Sequence, residues 1–208
     1  MACVSRVSEE DLKVVAMMER AGVLQPVLGN RLPTRNGAIL LFCGDADQAI
    51  DLLQRSFEAI FTEGDLARPH LLADNGGALL LPRESPLYQA CPSRGENFLD
   101  SFKESRQLKG IDTLVLEAHV PCGKAEQFGL SLDDVVRLLK MAKVRVLEEI
   151  PDMTVACFIH IDRNGAGKSI LFLDGAQWRK WEQLTPEDRE RRYGDEVSVS
   201  SGGEAYEH

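Results

Sequence analysis

AILLFCGDADQAIDLLQRSFEAIF, residues 38–61, changes its period at a cysteine. Its first six residues form a continuous apolar run of strand length, the pattern of a strand covered on both faces. From Asp45 onward, Ile50, Leu53, Phe57 and Ile60 recur at helical spacing, which predicts a helix with one buried stripe. A buried strand that feeds straight into an amphipathic helix is the opening of an α/β unit.

The same alternation continues on either side. Upstream, SEEDLKVVAMMERAG (8–22) predicts a first helix, capped by Ser8 with Asp11 three residues on and stopped at Gly22. Between it and the strand, VLQPVLGNRLPTRNG (23–37) is broken by Pro and Gly and reads as a connection across the surface. Downstream, HLLADNGGALLL (70–81) holds two apolar runs around Asn75-Gly76-Gly77, where a glycine pair lets the backbone turn or approach another group closely. Residues 82–110 are polar, with a helix predicted near 96–108. DTLVLEAH (112–119) then predicts a strand ending in His119.

The strongest local pattern is SLDDVVRLLKMAKVRVLEEI (131–150). Ser131 and Asp134 make a capping-box pair, and Leu132, Val135, Val136, Leu139 and Ala142 share one face. MTVACFIHID, RNGAG and KSILFLD (153–174) predict a hairpin, and Thr185-Pro186 starts a short helix. The expectation is one α/β domain over residues 1–193, with an N-terminal helical arm. It has a central, mostly parallel β-sheet flanked by helices and a C-terminal hairpin or antiparallel edge strand. An acidic tail at 194–208 lacks a core-forming pattern and is expected to be disordered.

Composition narrows the partners. With 33 acidic against 24 basic side chains in 208 residues, the net charge of −9 argues against nucleic acid or an anionic membrane as the main partner. No window approaches the ~18 apolar residues that span a bilayer. The N-terminal stretch turns acidic where a signal peptide would be apolar, so a cytoplasmic protein is expected. Five cysteines (Cys3, Cys43, Cys91, Cys122, Cys157) are an odd, scattered set rather than a disulfide framework.

Ligands of parallel sheets sit at the carboxyl ends of strands, where Cys43 and His119 both fall. His119-Val-Pro-Cys122 adds a second thiol. Two thiolates and one imidazole suit zinc, with a fourth position for water or Asp45. Zinc in such a site lowers the pKa of its water to about 7.

C-x-D at one strand end and H-x-x-C-G at a later one resemble the pattern of the β-class carbonic anhydrases. The similarity runs through roughly residues 38–174. It implies zinc ligands at Cys43, His119 and Cys122, and a catalytic aspartate at Asp45 that orients the attacking water. It also implies a pocket shaped by Gly76 and Gly77, and hydration of carbon dioxide to bicarbonate. A homodimer or higher homo-oligomer follows from the same resemblance.

One departure bears on activity. The family's arginine, which pairs with the motif aspartate, falls at position 47, and this sequence has Asp47. Asp45 thereby loses a cation and gains a like-charged neighbour. Asp45 then closes the zinc site as a fourth ligand in an inactive homologue, or Arg83 or Arg94 takes over the pairing, or the chain hydrolyses a related small analogue of carbon dioxide. The interval from Cys43 to His119 is longer than in typical members, which implies an insertion within residues 82–110. Gly165-Ala-Gly-Lys-Ser169 looks like a phosphate loop but lacks the first glycine and a following helix, so it reads as a hairpin turn. His70, His160 and Cys157 read as structural, and Cys3 and Cys91 as surface thiols.

Overall fold

The computed structural model describes residues 6–27, 32–45, 48–61 and 68–194. The expected acidic tail, Cys3 and Asp47 therefore lie outside the described residues, apart from Gly194 at the head of the tail. Helix α1 (Glu9–Arg20) begins where Ser8 Oγ accepts the Asp11 N–H, as its sequence predicts. Strand β1 (Leu24–Pro26) follows, then β2 (Ala38–Cys43), α2 (Ala49–Ile60) and β3 (Pro69–Asp74). A 3-10 turn (Gly77–Leu80) leads into α3 (Pro86–Ala90) and α4 (Pro92–Lys109). Next come β4 (Thr113–Val120), α5 (Gly123–Gln127), α6 (Leu132–Glu149), β5 (Thr154–Asp162), β6 (Lys168–Leu173), α7 (Gly175–Glu182) and α8 (Pro186–Tyr193).

Among the described residues the strands form one six-stranded mixed sheet in the order β1-β6-β5-β4-β2-β3. Strands β3, β2, β4 and β5 run parallel, while β6 returns antiparallel to β5 as the predicted hairpin and β1 pairs antiparallel to β6. The architecture is the α/β class read from the sequence. No helix among the described residues is long and apolar enough to cross a membrane.

The all-apolar run of β2 is buried at every position, which is what a strand with both faces covered requires. Ile39, Leu41, Leu114, Leu116 and Ile159 face a core completed by Val135, Val136, Leu139 and Ala142 of α6 and by Val15 and Met18 of α1. Each such side chain contributes about 1.5–3 kcal/mol on full burial. On the opposite face, Leu40, Phe42, Val115 and Phe158 pack under α2.

Three local readings are corrected. The stripe expected on α2 is rotated: Leu52, Ser56 and Ile60 are buried, whereas Ile50 is 76 % exposed. Asp51 of this helix reaches the buried His160 and Ser56 faces the sheet, so polar contacts rather than apolar period alone orient the helix. The segment after α1 is not all connection, because Leu24 pairs with Leu173 and Pro26 with Leu171. Proline is tolerated there because β1 is an edge strand. Residues 82–110 hold two helices, and α4 is longer than its weak pattern suggested because Phe98, Leu99 and Phe102 pack into the core.

Candidate metal centre

The parallel order β2-β4 delivers the three expected donors to one end of the sheet. Cys43 is the last residue of β2, His119 the penultimate residue of β4, and Cys122 lies just beyond it at the start of α5. Their ligand atoms all lie within 4.8 Å of one another, and all three residues are buried. No other pair of elements need move to bring them together, since β2 and β4 are hydrogen-bonded neighbours.

Each sulfur is held by backbone. The Gly76 N–H donates to Cys43 Sγ at 3.2 Å, and the Ala125 N–H faces Cys122 Sγ. The glycine pair makes the first contact feasible. Gly76 and Gly77 have φ of +101° and +48°, and a Cβ on Gly77 would lie 2.6 Å from the Phe42 carbonyl carbon and 2.7 Å from the Cys43 nitrogen. Only a residue without a Cβ lets the loop close on the end of β2.

The thiols behave as a pair. The contact with Cys43, helped by His119, lowers the Cys122 pKa. The same contact, together with burial, raises that of Cys43. For His119, burial favours the neutral ring, but Cys122, the Asp45 carboxylate and the Pro121 backbone outweigh it and leave the pKa raised. Neither His119 nitrogen has a hydrogen-bond partner among the described residues. A buried imidazole with neither nitrogen hydrogen-bonded among the described residues, facing two buried thiols, is a donor set that fits zinc.

Asp45 follows Cys43 by two residues, yet its carboxylate is not in the three-membered donor group. Of the two arginines considered as replacements for a cation at position 47, Arg83 pairs with Glu149 at 3.7 Å and Arg94 pairs with Asp74. A cavity of about 60 Å³ adjoins His119 and Cys122 and is also lined by Arg6, Asp11 and Leu132. Gly76 and Gly77 are not among its lining residues; they position Cys43.

Other polar residues near the sheet's α2 face gave little signal in the sequence. Glu117, two residues before His119 on the same face of β4, is fully buried with neither carboxylate oxygen hydrogen-bonded among the described residues. Burial pushes its carboxyl up to about 8, with the nearby Ser56 hydroxyl offsetting part of the rise. His160 is buried with Nε2 2.6 Å from Asp51 Oδ2. A charged residue inside an apolar strand run was the one signal that could have marked Glu117. Cys157 is buried in the core, Cys91 is partly exposed, and His70 meets Lys109 at the surface.

No family profile and no curated protein matches the chain. Among solved structures, a carbonic anhydrase from Streptococcus mutans is similar, at 16 % identity and a TM-score of 0.43, over 82 % of this chain and 100 % of that one. A β-carbonic anhydrase, isoform I, from the protozoan Trichomonas vaginalis is similar at 13 % identity and a TM-score of 0.36, over 80 % of this chain and 99 % of that one.

Proposed function

We propose that this chain is a zinc-dependent, β-carbonic-anhydrase-like lyase that hydrates carbon dioxide to bicarbonate. The observation that carries the reading is the buried Cys43–His119–Cys122 group, with its donor atoms within 4.8 Å of one another at the carboxyl end of a parallel sheet. These three residues would hold the metal. Zinc, when bound, supplies Lewis acidity that makes hydroxide available near neutral pH. The chain's own contribution is to keep both sulfurs oriented by the Gly76 and Ala125 amides and to place the Asp45 charge beside His119. Asp45 is the residue to orient the water that attacks. The adjoining cavity of about 60 Å³ has room for a few water-sized molecules, which suits a small linear electrophile rather than a drug-sized substrate. A cytoplasmic homodimer goes with this reading, and light scattering of the purified protein measures the oligomer.

A second reading is favoured by Asp47 in the sequence and by the engagement of Arg83 and Arg94 with other carboxylates. On this reading Asp45 closes the zinc site as fourth ligand and the protein binds metal without turnover. Metal analysis and stopped-flow carbon dioxide hydration, on wild type, Cys122→Ser and Asp47→Arg, separate the two. About one zinc per chain, lost in Cys122→Ser, is expected on both. Hydration by wild type supports the enzyme; an inactive wild type made active by Asp47→Arg supports the closed site; a folded wild type that takes up no zinc refutes both.

A further inference from the structure

His119 and His160 are register partners in the parallel β4–β5 pair, so their side chains leave the same face of the sheet side by side. His160 is fully buried, its Nε2 lies 2.6 Å from Asp51 Oδ2, and Asp51 is held in turn by Arg55 Nε at 2.8 Å. A carboxylate only accepts, so the His160 proton sits on Nε2 and leaves Nδ1 a bare acceptor. That Nδ1 has no partner among the described residues, and neither has either nitrogen of His119. The two sulfurs of the metal centre each face a backbone N–H, from Gly76 and Ala125. At His119 the Pro121 carbonyl lies near enough to favour the protonated ring, but neither ring nitrogen makes a hydrogen bond among the described residues.

We propose that His160 is a positioning residue for the metal centre: with one His119 nitrogen on the metal, the other donates its N–H to His160 Nδ1, and Asp51 fixes the His160 tautomer that can accept it. The inference rests on the metal-centre reading of Cys43, His119 and Cys122. It supplies the outer hydrogen bond that metal-bound histidines use to set ring orientation and basicity, whose loss weakens metal binding by about 10–100-fold. A buried donor and a buried acceptor, each unmet, satisfy one another.

Zinc affinity of the full chain, measured by competition with a chromophoric chelator, tests it with two variants that lose the same ring. His160→Asn keeps an amide oxygen near the Nδ1 position, whereas His160→Gln reaches the Nε2 position and leaves His119 unmet. The expected result is a loss of about 10–100-fold in His160→Gln and recovery toward wild type in His160→Asn. The ligand-field absorption of the cobalt-substituted protein should shift in the former and not in the latter. Metal-free melting temperatures of the two variants report the shared packing loss separately. Asp51→Ala, at a partly exposed position, releases the tautomer and is expected to weaken binding in the same direction, so unfolding of His160→Gln does not shield the proposal. Equal affinities in wild type, His160→Gln and Asp51→Ala, or equal losses in both His160 variants, overturn the proposal while leaving the metal centre standing. Wild type that binds no zinc overturns both.

Discussion

Replacing Glu117 by Gln should stabilise the protein increasingly as the pH rises. Glu117 is buried in β4 with neither carboxylate oxygen hydrogen-bonded among the described residues, and its pKa rises from 4.5 to about 8 because ionisation there is penalised by burial. The folded-state pKa exceeds the unfolded one. The native state therefore keeps a proton that the unfolded chain releases above pH 4.5. The stability associated with that proton is complete below pH 4.5 and is lost as the pH climbs toward 8. Each pH unit in the window removes about 1.4 kcal/mol, so the loss is on the order of 3 kcal/mol at pH 7. Glutamine does not titrate, and its buried amide adds a pH-independent cost of about 1 kcal/mol. Urea unfolding of wild type and Glu117→Gln from pH 5 to 8.5, with chelator in excess, isolates the term because other titrating groups cancel in the difference. The variant should be slightly less stable at pH 5 and clearly more stable at pH 8. A difference that stays flat across the range would refute the reasoning.

Gly77→Ala forces a Cβ to 2.6 Å from the Phe42 carbonyl carbon at a φ of +48°. A loss of about 2–4 kcal/mol in denaturant unfolding is expected, together with weaker zinc binding because Cys43 is displaced. Gly123→Ala, with nothing within 4 Å of the new Cβ, should stay within about 0.5 kcal/mol and serves as its control. Arg145→Ala removes a buried guanidinium that bonds the Leu81 carbonyl and Glu96 and lies 4.7 Å from the Tyr88 ring centroid. Glu96 remains partly solvated, so the expected loss is about 2–3 kcal/mol, read as a lower midpoint with unchanged slope.

The elements were legible where neighbours in sequence decide them. The Ser131–Asp134 capping box forms, and all five residues assigned to the inner face of α6 are buried, because cap and period act within a few residues. Cys43, His119 and Cys122 were legible as a group for a similar reason: strand ends of a parallel sheet converge, and soft donors at those ends stand out against apolar runs. Helix α2 was misread at Ile50 because its orientation depends on His160, 109 positions from Asp51, and no local period carries that information.

By itself, then, the sequence determined the α/β class, the caps and the buried strands, consequences of residue type and short-range spacing, and marked Cys43, His119 and Cys122 as donors that a parallel sheet could bring together. Tertiary structure alone decided that Gly76 donates to Cys43, that Glu117 is sealed inside the fold, and that His160 stands beside His119 with Asp51 behind it. Those relations arise from sheet register and from the close approach of distant backbone. Hydrogen bonds and desolvation act over a few ångströms in space, whatever the distance along the chain.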